Sequence, residues 1–322
     1  MTTLVHAIIF LASIGIVWFF AGVLIDAVSR ISQRYCRSGF FMAFFILGFL
    51  TSISEFSVAA NAALAKVPGV SVGNLVGASF VVLLFIVPLL AAAGQGIRLN
   101  EAVSKGTLGL MLAAVALPAL LVMDGAVTRT EGLLALLAYG TVAYALYRQR
   151  RPINACDPEE PGLARIRSTA GDLLRIFIGA LAIFAAAHFL VEQAVYFAQT
   201  LSVPSSLIGL LMLSLGTNVP EIVIAVRALL RRRTDIAFGD YLGSATMNTF
   251  VFGALALGTG TFFVEASEFV MTSVLLVAGL ILLYLFARSR HMISRKEGFV
   301  LLLFYIAFVL LQFYNVARFA GE

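Results

Sequence analysis

Charged side chains are scarce in this chain. Asp, Glu, Lys and Arg make up 12% of its 322 residues, whereas a soluble domain carries about 25% charged residues. Hydrophobic residues make up 61%, and the mean hydropathy is +1.00. The composition therefore predicts an integral membrane protein in a lipid bilayer. The net charge of +5 does not predict nucleic-acid binding, because the basic residues stand between apolar runs, where membrane topology explains them.

The chain also lacks the usual signatures of catalysis. It has no glycine-rich phosphate loop, no HExxH and no nucleophile elbow, so no motif predicts ATP hydrolysis or covalent catalysis. Its two cysteines, Cys36 and Cys156, fall in predicted loops and have no metal-ligand spacing. We expect no disulfide, no resident cofactor and no enzymatic activity.

Long apolar runs are what the chain has instead. A helix must keep such a run for about 20 residues to cross a bilayer. We read residues 4–27 as a retained first span, because no basic segment precedes this run and no small-residue cleavage site is evident. Ten runs qualify: 4–27, 40–64, 70–94, 107–123, 131–147, 176–200, 205–230, 236–260, 269–287 and 298–318.

One stretch of the chain occurs twice. A gapless alignment of the chain with itself places Thr51 on Thr217, and we call this alignment the repeat register. The register places five spans in each half, and an odd number makes the second half enter the membrane in the opposite orientation. The sequence thus predicts an all-α membrane protein of ten transmembrane helices in two inverted-topology five-helix repeats, 1–147 and 176–322. A basic cytoplasmic linker at 148–175 joins them. The informative matches are Thr51 with Thr217, Glu55 with Glu221, Gly73 with Gly239 and Gly77 with Gly243.

Basic residues support this count of spans. When the connections are assigned alternately to the two sides, 18 Lys and Arg fall on one side and three on the other. The side rich in Lys and Arg is cytoplasmic in membrane proteins. We therefore predict a protein of the cytoplasmic (inner) membrane with both termini outside.

The second copy of the repeat places oxygen-bearing side chains around an intramembrane acid. Thr217 and Asn218 lie four and three residues before Glu221, so on a helix the three share one face. Gly216 and Pro220 predict a break in the helix that frees backbone carbonyls. Oxygen ligands beside a broken helix suit a hard cation.

The two repeated glutamates predict the chemistry of transport. If the repeats pack about a pseudo-twofold axis, Glu55 and Glu221 come together. Two such carboxylates can neutralise one divalent cation, and without it they need protons or monovalent cations. This competition for one site is the basis of antiport. Ser244 and Asn248, four residues apart, put two more oxygens on one helix face.

Other intramembrane polar residues predict structural roles. Asp26 and Glu192 match each other across the repeats, which favours a helix-to-helix contact over a place on the path of the cation. His188 stands alone among apolar residues, and we expect a buried, hydrogen-bonded histidine there, not a proton relay.

Two motifs carry a resemblance to a known family. GTNVPE at 216–221, followed by GDYLGSATMN at 239–248, resembles the second alpha-repeat of the cation/calcium antiporter superfamily, which includes the sodium/calcium exchangers. LTSISE at 50–55, followed by GNLVGAS at 73–79, resembles the first. The resemblance implies a secondary active antiporter that exchanges Ca²⁺ for Na⁺ or H⁺ by alternating access at a midplane site.

The resemblance also implies which residues bind the cation. The first repeat departs from the family pattern, because Ala78 and Val82 stand where exchangers have polar ligands. Calcium against protons, calcium against fewer sodium ions, and another cation therefore stay open. The implied ligands are Glu55, Glu221, Thr51, Ser52, Thr217, Asn218, Ser244 and Asn248.

Two other classes of function compete with this reading. A transport-inactive relative, kept as a structural subunit beside a membrane-protein partner, would explain the reduced ligand set of the first repeat. A membrane enzyme would use the paired carboxylates for acid/base catalysis. The absence of any nucleophile or metal motif argues against the enzyme.

Overall fold

A computed structural model describes residues 3–35, 37–64, 66, 68–94, 96–98, 103–149, 162–200, 218–264, 266–290 and 292–319. Within these ranges the chain is built almost wholly of helices. Thr217, Cys36 and Cys156 lie outside them. The helices are α1 Thr3–Arg34, α2 Gly39–Thr51, α3 Ile53–Leu64, α4 Pro68–Val81, α5 Val87–Ala93, α6 Lys105–Leu121, α7 Arg129–Arg148, α8 Gly162–Thr200, α9 Val219–Leu230, α10 Thr234–Thr259, α11 Ala266–Arg290 and α12 Arg295–Phe319.

Six helical segments within the described ranges are long and apolar enough to cross a membrane. Each overlaps one of the ten predicted spans, and half of the seventh span, 205–217, lies outside those ranges. Together with the composition, they make the chain an integral membrane protein, whereas the count of ten stays a prediction. The segments are Leu4–Arg34, Gly39–Leu64, Pro68–Ala93, Lys105–Asp124, Ser168–Ala186 and Phe269–Ser289.

The helices form two compact units, and each unit takes segments from both halves of the sequence. The first consists of Met1–Phe56 and Arg150–Ser244, and the second of Ser57–Gln149 and Ala245–Glu322. In the first unit α1 packs along α8 and α9; in the second, α5 packs against α12, and α6 against α7 and α11. The boundaries of the repeats, 1–147 and 176–322, stay a prediction about the sequence.

Two short strand pairs in the second unit follow the repeat register. β1 (Ile97–Arg98) pairs with β4 (Met292–Ile293), and β2 (Ala126–Val127) pairs with β3 (Phe262–Phe263), both antiparallel. The register places the start of β1 within β3 and the start of β2 on the start of β4. Each strand therefore pairs with the non-equivalent strand of the other half.

Two helices begin with the same capping arrangement at positions that match in the repeat register. The Thr128 amide donates to Glu131 Oε2 (2.7 Å), and the Glu131 amide donates to Thr128 Oγ1 (3.3 Å) before α7. The Ser294 amide donates to Glu297 Oε2 (2.7 Å), and the Glu297 amide donates to Ser294 Oγ (3.4 Å) before α12. Each box satisfies amides that the first helical turn leaves free. The register therefore also relates positions that were not used to find it.

Asp172 joins α8 to α1 through a cluster of arginines. Its carboxylate accepts from Arg30 Nε (2.9 Å), Arg34 Nη1 (3.0 Å) and Arg175 Nη1 (3.0 Å), and its side chain is 2% exposed. Residues 150–161 of the predicted linker lie outside the described ranges, and its remainder, from Gly162, forms the start of α8. α8 therefore begins well before the sixth predicted span.

Asp172→Asn should destabilise the protein by about 2 kcal/mol, because the buried acceptor of Arg34 loses its charge. The contacts of Arg30 and Arg175 contribute less, since these two side chains are 41% and 61% exposed. Thermal unfolding of the purified protein in detergent would measure the loss. Asp124→Asn is the matched control: Asp124 is exposed, and its acceptor oxygen for the Ala126 amide survives the change. Equal melting temperatures for the two variants would contradict the prediction.

The two other acids of the sequence analysis make different contacts. Asp26 forms an ion pair with Arg231 at the end of α9, so the predicted helix-to-helix contact is confirmed for Asp26. Glu192 instead contacts His188 within α8 (3.4 Å), and their side chains are 53% and 71% exposed. The prediction of a buried His188 was wrong, because this histidine lies on a face of α8 that points away from the rest of the described structure.

Candidate functional site

The first repeat breaks its helix at Ser52, between α2 and α3. Ser52 has φ −79° and ψ 4°, and it ends α2 without a glycine or proline beside it. Two hydroxyls bond back to carbonyls one turn earlier: Thr51 Oγ1 donates to Leu47 O (3.0 Å), and Ser52 Oγ donates to Gly48 O (2.8 Å). Such back-bonding competes with the helical ladder and bends helices.

Glu55 and Glu221 occupy the same place relative to a helix start. Glu55 lies in the first turn of α3, and Glu221 lies in the first turn of α9, which begins after Asn218 and carries Pro220. The positive end of the helix dipole favours a negative charge there. The start of α9 confirms a helix boundary where Pro220 predicted it. Gly216 and Thr217 lie outside the described ranges.

Glycines bring α2 against the first half of α10 at backbone contact. A Cβ on Gly48 would lie 2.6 Å from the Gly243 Cα, and one on Gly239 would lie 2.8 Å from the Phe40 Cα. A Cβ on Gly243 would lie 3.0 Å from the carbonyl carbon of Phe44. Real Cβ atoms do not approach the backbone so closely, so only glycine permits this separation.

This close contact brings polar side chains of the two helices together. Ser52 Oγ and Ser244 Oγ lie 3.4 Å apart, within hydrogen-bond distance, and Thr51 Oγ1 lies 3.2 Å from Asp240 Oδ1. All four side chains are buried, each at most 3% exposed. Because these side chains are buried, their oxygens are not hydrated and can bind a cation.

The two glutamates are buried beside this cluster. Each is 1% exposed. Ser54 Oγ donates to Glu55 Oε2 (2.7 Å), and Tyr241 Oη donates to the main-chain carbonyl of Glu221 (2.9 Å). Glu221 lies within electrostatic range of Glu55 and Asp240. Its Oε2 has no hydrogen-bond partner in the part of the chain that the structure describes.

The first unit thus contains six of the eight predicted ligands, all of them buried. Asn248 belongs to the second unit, where its Nδ2 donates to Ser79 Oγ (3.2 Å) and approaches Leu75 O (3.5 Å). Thr217 is outside the described ranges. The six are Thr51, Ser52, Glu55, Asn218, Glu221 and Ser244.

Sequence reasoning missed Asp240 as a member of the site. Asp240 was noticeable, because it is an acid in the predicted eighth span and matches Asn74 across the repeats. Ser54 was missed as well, although it stands next to Glu55 in the sequence. Tyr241 was read only as part of the GDYLGSATMN motif.

The donor set suits a hard cation without forming a dense acidic cage. Carboxylate, hydroxyl and carbonyl oxygens are all present at the α2–α3 break and on α9 and α10. Among the described residues, no group of three or more His, Cys, Asp or Glu side chains is arranged to hold one metal ion. Calcium takes about six to eight oxygens, so hydroxyls, carbonyls and water would have to complete its shell.

Comparison with known families decides what kind of membrane protein this is. The family model described as "Sodium/calcium exchanger protein" matches residues 5–148 and 172–314, nearly the whole chain in two segments. The chain belongs to the sodium/calcium exchanger family. This family consists of transporters, so the resemblance stated from the two motifs is confirmed.

Relatives of this exchanger-family chain extend across both halves. The sodium/calcium exchanger MaX1 of Methanosarcina acetivorans is 35% identical over 149 residues, which cover 45% of this chain and 41% of that exchanger. An uncharacterized membrane protein of Methanocaldococcus jannaschii is 27% identical over 289 residues, covering 90% of each.

Solved structures of the sodium-calcium exchanger NCX_Mj share the fold of this chain. One of them has a TM-score of 0.79 at 21% sequence identity and covers 96% of this chain and 99% of its own. At this identity the likeness shows the fold alone. The predicted all-α membrane exchanger fold is therefore confirmed.

Proposed function

We propose that this chain is a secondary active cation antiporter that exchanges Ca²⁺ for Na⁺ or H⁺. The observation that carries the proposal is the pair of buried glutamates, which match in the repeat register and each lie in the first turn of a helix. Buried carboxylates within a membrane cost several kcal/mol unless they meet a partner. A bound cation is such a partner. When it leaves, the carboxylates need another cation or protons in its place.

The proposed ligands are the residues that the sequence motifs identify. Glu55 and Glu221 would neutralise a divalent cation, and the hydroxyl and amide oxygens would complete its shell. The hydrogen bond between Ser52 and Ser244 supports this assignment, since it brings the two motifs together. The proposed set is Glu55, Glu221, Thr51, Ser52, Thr217, Asn218, Ser244 and Asn248.

Alternating access fits the repeated features of the chain. The strand pairs, the two capping boxes and the two segments matched by one family model all follow the same duplication. We infer ten transmembrane helices in two inverted five-helix repeats, in which access would alternate between equivalent arrangements of the halves. The asymmetry of basic residues supports a place in the cytoplasmic membrane with both termini outside. The cations are cargo, and the cycle needs no resident cofactor.

Uptake into proteoliposomes tests the proposed function. Purified protein is reconstituted, and ⁴⁵Ca²⁺ uptake is followed under an outward Na⁺ gradient and, in separate vesicles, under an outward H⁺ gradient. We expect uptake under at least one gradient and loss of that uptake in Glu55→Gln. Absence of uptake under both gradients would contradict Ca²⁺ exchange and favour the transport-inactive subunit, whose partner would then be sought by co-purification.

A further inference from the structure

Two arginines of α9 contact one face of α1. Trp18, Gly22 and Asp26 follow one another at intervals of four residues, so they lie on the same face of α1. Arg227 Nε donates to the Trp18 carbonyl (3.0 Å), and its guanidinium lies 4.6 Å from the centroid of the Trp18 ring. Arg231 Nη1 donates to the Gly22 carbonyl (3.2 Å), and Arg231 also pairs with Asp26. We call these five residues the arginine clamp.

Gly22 lets both guanidinium groups lie against the backbone of α1. A Cβ at this position would lie 2.9 Å from Arg227 Nη2 and 3.2 Å from Arg231 Nη2. The donors of a guanidinium have a fixed planar arrangement, and this plane also stacks on aromatic rings. Contacts with two main-chain carbonyls, a ring and a carboxylate therefore fix both the rotation and the depth of α9 relative to α1.

The same helix carries Glu221 at its other end. Glu221 lies in the first turn of α9, Arg227 lies in the last turn, and Arg231 is the residue that ends the helix. At 1.5 Å per residue, the two arginines are about 9 Å and about 15 Å further along the helix axis than Glu221. α9 has 12 residues and no proline after its first turn, so it moves nearly as a rigid rod. A rotation or shift at the clamp would therefore displace the Glu221 carboxylate.

We propose that Arg227 and Arg231 are positioning residues for cation exchange, which place the Glu221 carboxylate by fixing α9 against α1. Tyr241 Oη holds the first turn of α9 through the Glu221 carbonyl (2.9 Å), and the clamp holds its other end. The inference rests on the proposed function for the role of Glu221, but the position of this side chain can be measured without a transported cation. Arginines that only stabilised the fold would lower the melting temperature and leave Glu221 in place.

Labelling with a carbodiimide tests the position of Glu221. Dicyclohexylcarbodiimide is an apolar reagent that modifies protonated carboxyl groups inside membrane proteins. Mass spectrometry of peptides from the labelled full-length protein, kept in detergent without Ca²⁺, gives separate rates for Glu221 and Glu55. In the double variant Arg227→Gln with Arg231→Gln, the Glu221 rate should rise at least about threefold relative to the Glu55 rate, because a loosened helix opens more often to the reagent.

A second double variant separates geometry from charge. Arg227→Lys with Arg231→Lys keeps both positive charges, so the electrostatic field at Glu221 is nearly unchanged, but lysine lacks the planar fork and the stacking surface. Its Glu221 rate should rise as well, by a smaller factor. If the glutamine variant does not fold, the lysine variant decides alone. An unchanged rate in the variants that fold would overturn the positioning role.

Asp172→Asn is the matched control for a loss of stability. It weakens the contacts of α1 with Arg30, Arg34 and α8 and leaves the clamp intact, so it should melt at a lower temperature while its Glu221 rate equals that of wild type. A rise as large as in the clamp variants would also overturn the proposal.

Transport of the same proteins connects position with exchange. In proteoliposomes, the KM for ⁴⁵Ca²⁺ uptake should rise at least about fivefold in the lysine variant, because a displaced carboxylate binds the cation less well, and it should be unchanged in Asp172→Asn. A wild-type KM in the lysine variant would contradict the role in exchange. Absence of uptake by the wild-type protein would instead count against Ca²⁺ exchange, and the labelling rates would still decide whether the clamp places Glu221.

Discussion

Glu221→Gln will abolish cation exchange and leave the protein folded. Glu221 is 1% exposed, and its Oε2 has no partner in the described chain, so no described donor competes with a cation for that oxygen. Losing one of two carboxylate ligands should weaken divalent-cation binding by at least about 100-fold, or about 2.8 kcal/mol at 1.4 kcal/mol per factor of ten. The amide has the same shape, and removing a buried charge relieves a cost of folding.

Two measurements distinguish this loss of binding from a loss of structure. Uptake of ⁴⁵Ca²⁺ into proteoliposomes should fall to background, while size-exclusion elution and the melting temperature without cations should match or exceed those of wild type. Glu192→Gln is the matched control, because Glu192 is half-exposed on α8 and contacts only His188 among the described residues; its uptake should be unchanged. Wild-type uptake by Glu221→Gln would contradict the assignment of Glu221 as a ligand of the transported cation.

Gly243→Ala should destabilise the protein severely, by about 3 kcal/mol or more. The added methyl would lie 3.0 Å from the carbonyl carbon of Phe44 and closer still to its oxygen. Backbone atoms of α2 cannot turn aside as a flexible side chain can, so α2 and α10 would have to separate. The expected result is a large fall in melting temperature and poor recovery of folded protein from the membrane.

Gly77→Ala provides the internal control for this prediction. Gly77 matches Gly243 in the repeat register, but a Cβ on Gly77 would have no described atom within 4 Å. Alanine is a better helix former than glycine by up to about 1 kcal/mol, so this variant should be as stable as wild type or more so. Comparable destabilisation of the two variants would contradict the prediction, because only Gly243 meets the backbone of α2.

Gly77 and Gly243 show what the sequence could and could not predict about the fold. The repeat register identified both as equivalent, and it matched the two glutamates, each of which lies in the first turn of a helix. It could not distinguish a glycine that touches a backbone from one whose Cβ would have no described atom within 4 Å, because that depends on which helix lies opposite. The register matches positions along the chain, but it does not show which residue packs against each of them in the fold.

The break at Ser52 shows a second limit. In the second repeat, Pro220 predicts a helix boundary, and α9 begins at the preceding residue, Val219. In the first repeat, Leu50 and Ser54 match Gly216 and Pro220 in the repeat register, yet the helix still breaks. The hydroxyls of Thr51 and Ser52, bonded back to carbonyls of α2, accompany the break, and such bonds are common in helices that do not break.

Asp240 shows a third limit. An acid inside an apolar run is noticeable, but Asp240 matches Asn74, so the repeat register does not pair it with a second acid as it pairs Glu55 with Glu221. Only the contact with Thr51 places it beside the ligands that the motifs predict. The sequence shows that Asp240 lies inside a predicted span. It does not show which residue of another helix Asp240 contacts.

The glycine contact between α2 and α10 also bears on ionic radius. Gly48 and Gly243 meet backbone to backbone, so the oxygens of Thr51, Ser52 and Ser244 are carried on two main chains that can move neither closer together nor, without losing the contact, apart. Oxygens carried on main chains at a fixed separation contract less readily around a small ion such as Mg²⁺, which demands six near-ideal contacts at about 2.0–2.1 Å. The spacing of the oxygens would therefore favour cations of larger radius, and three glycines that never touch the ion would help to choose it.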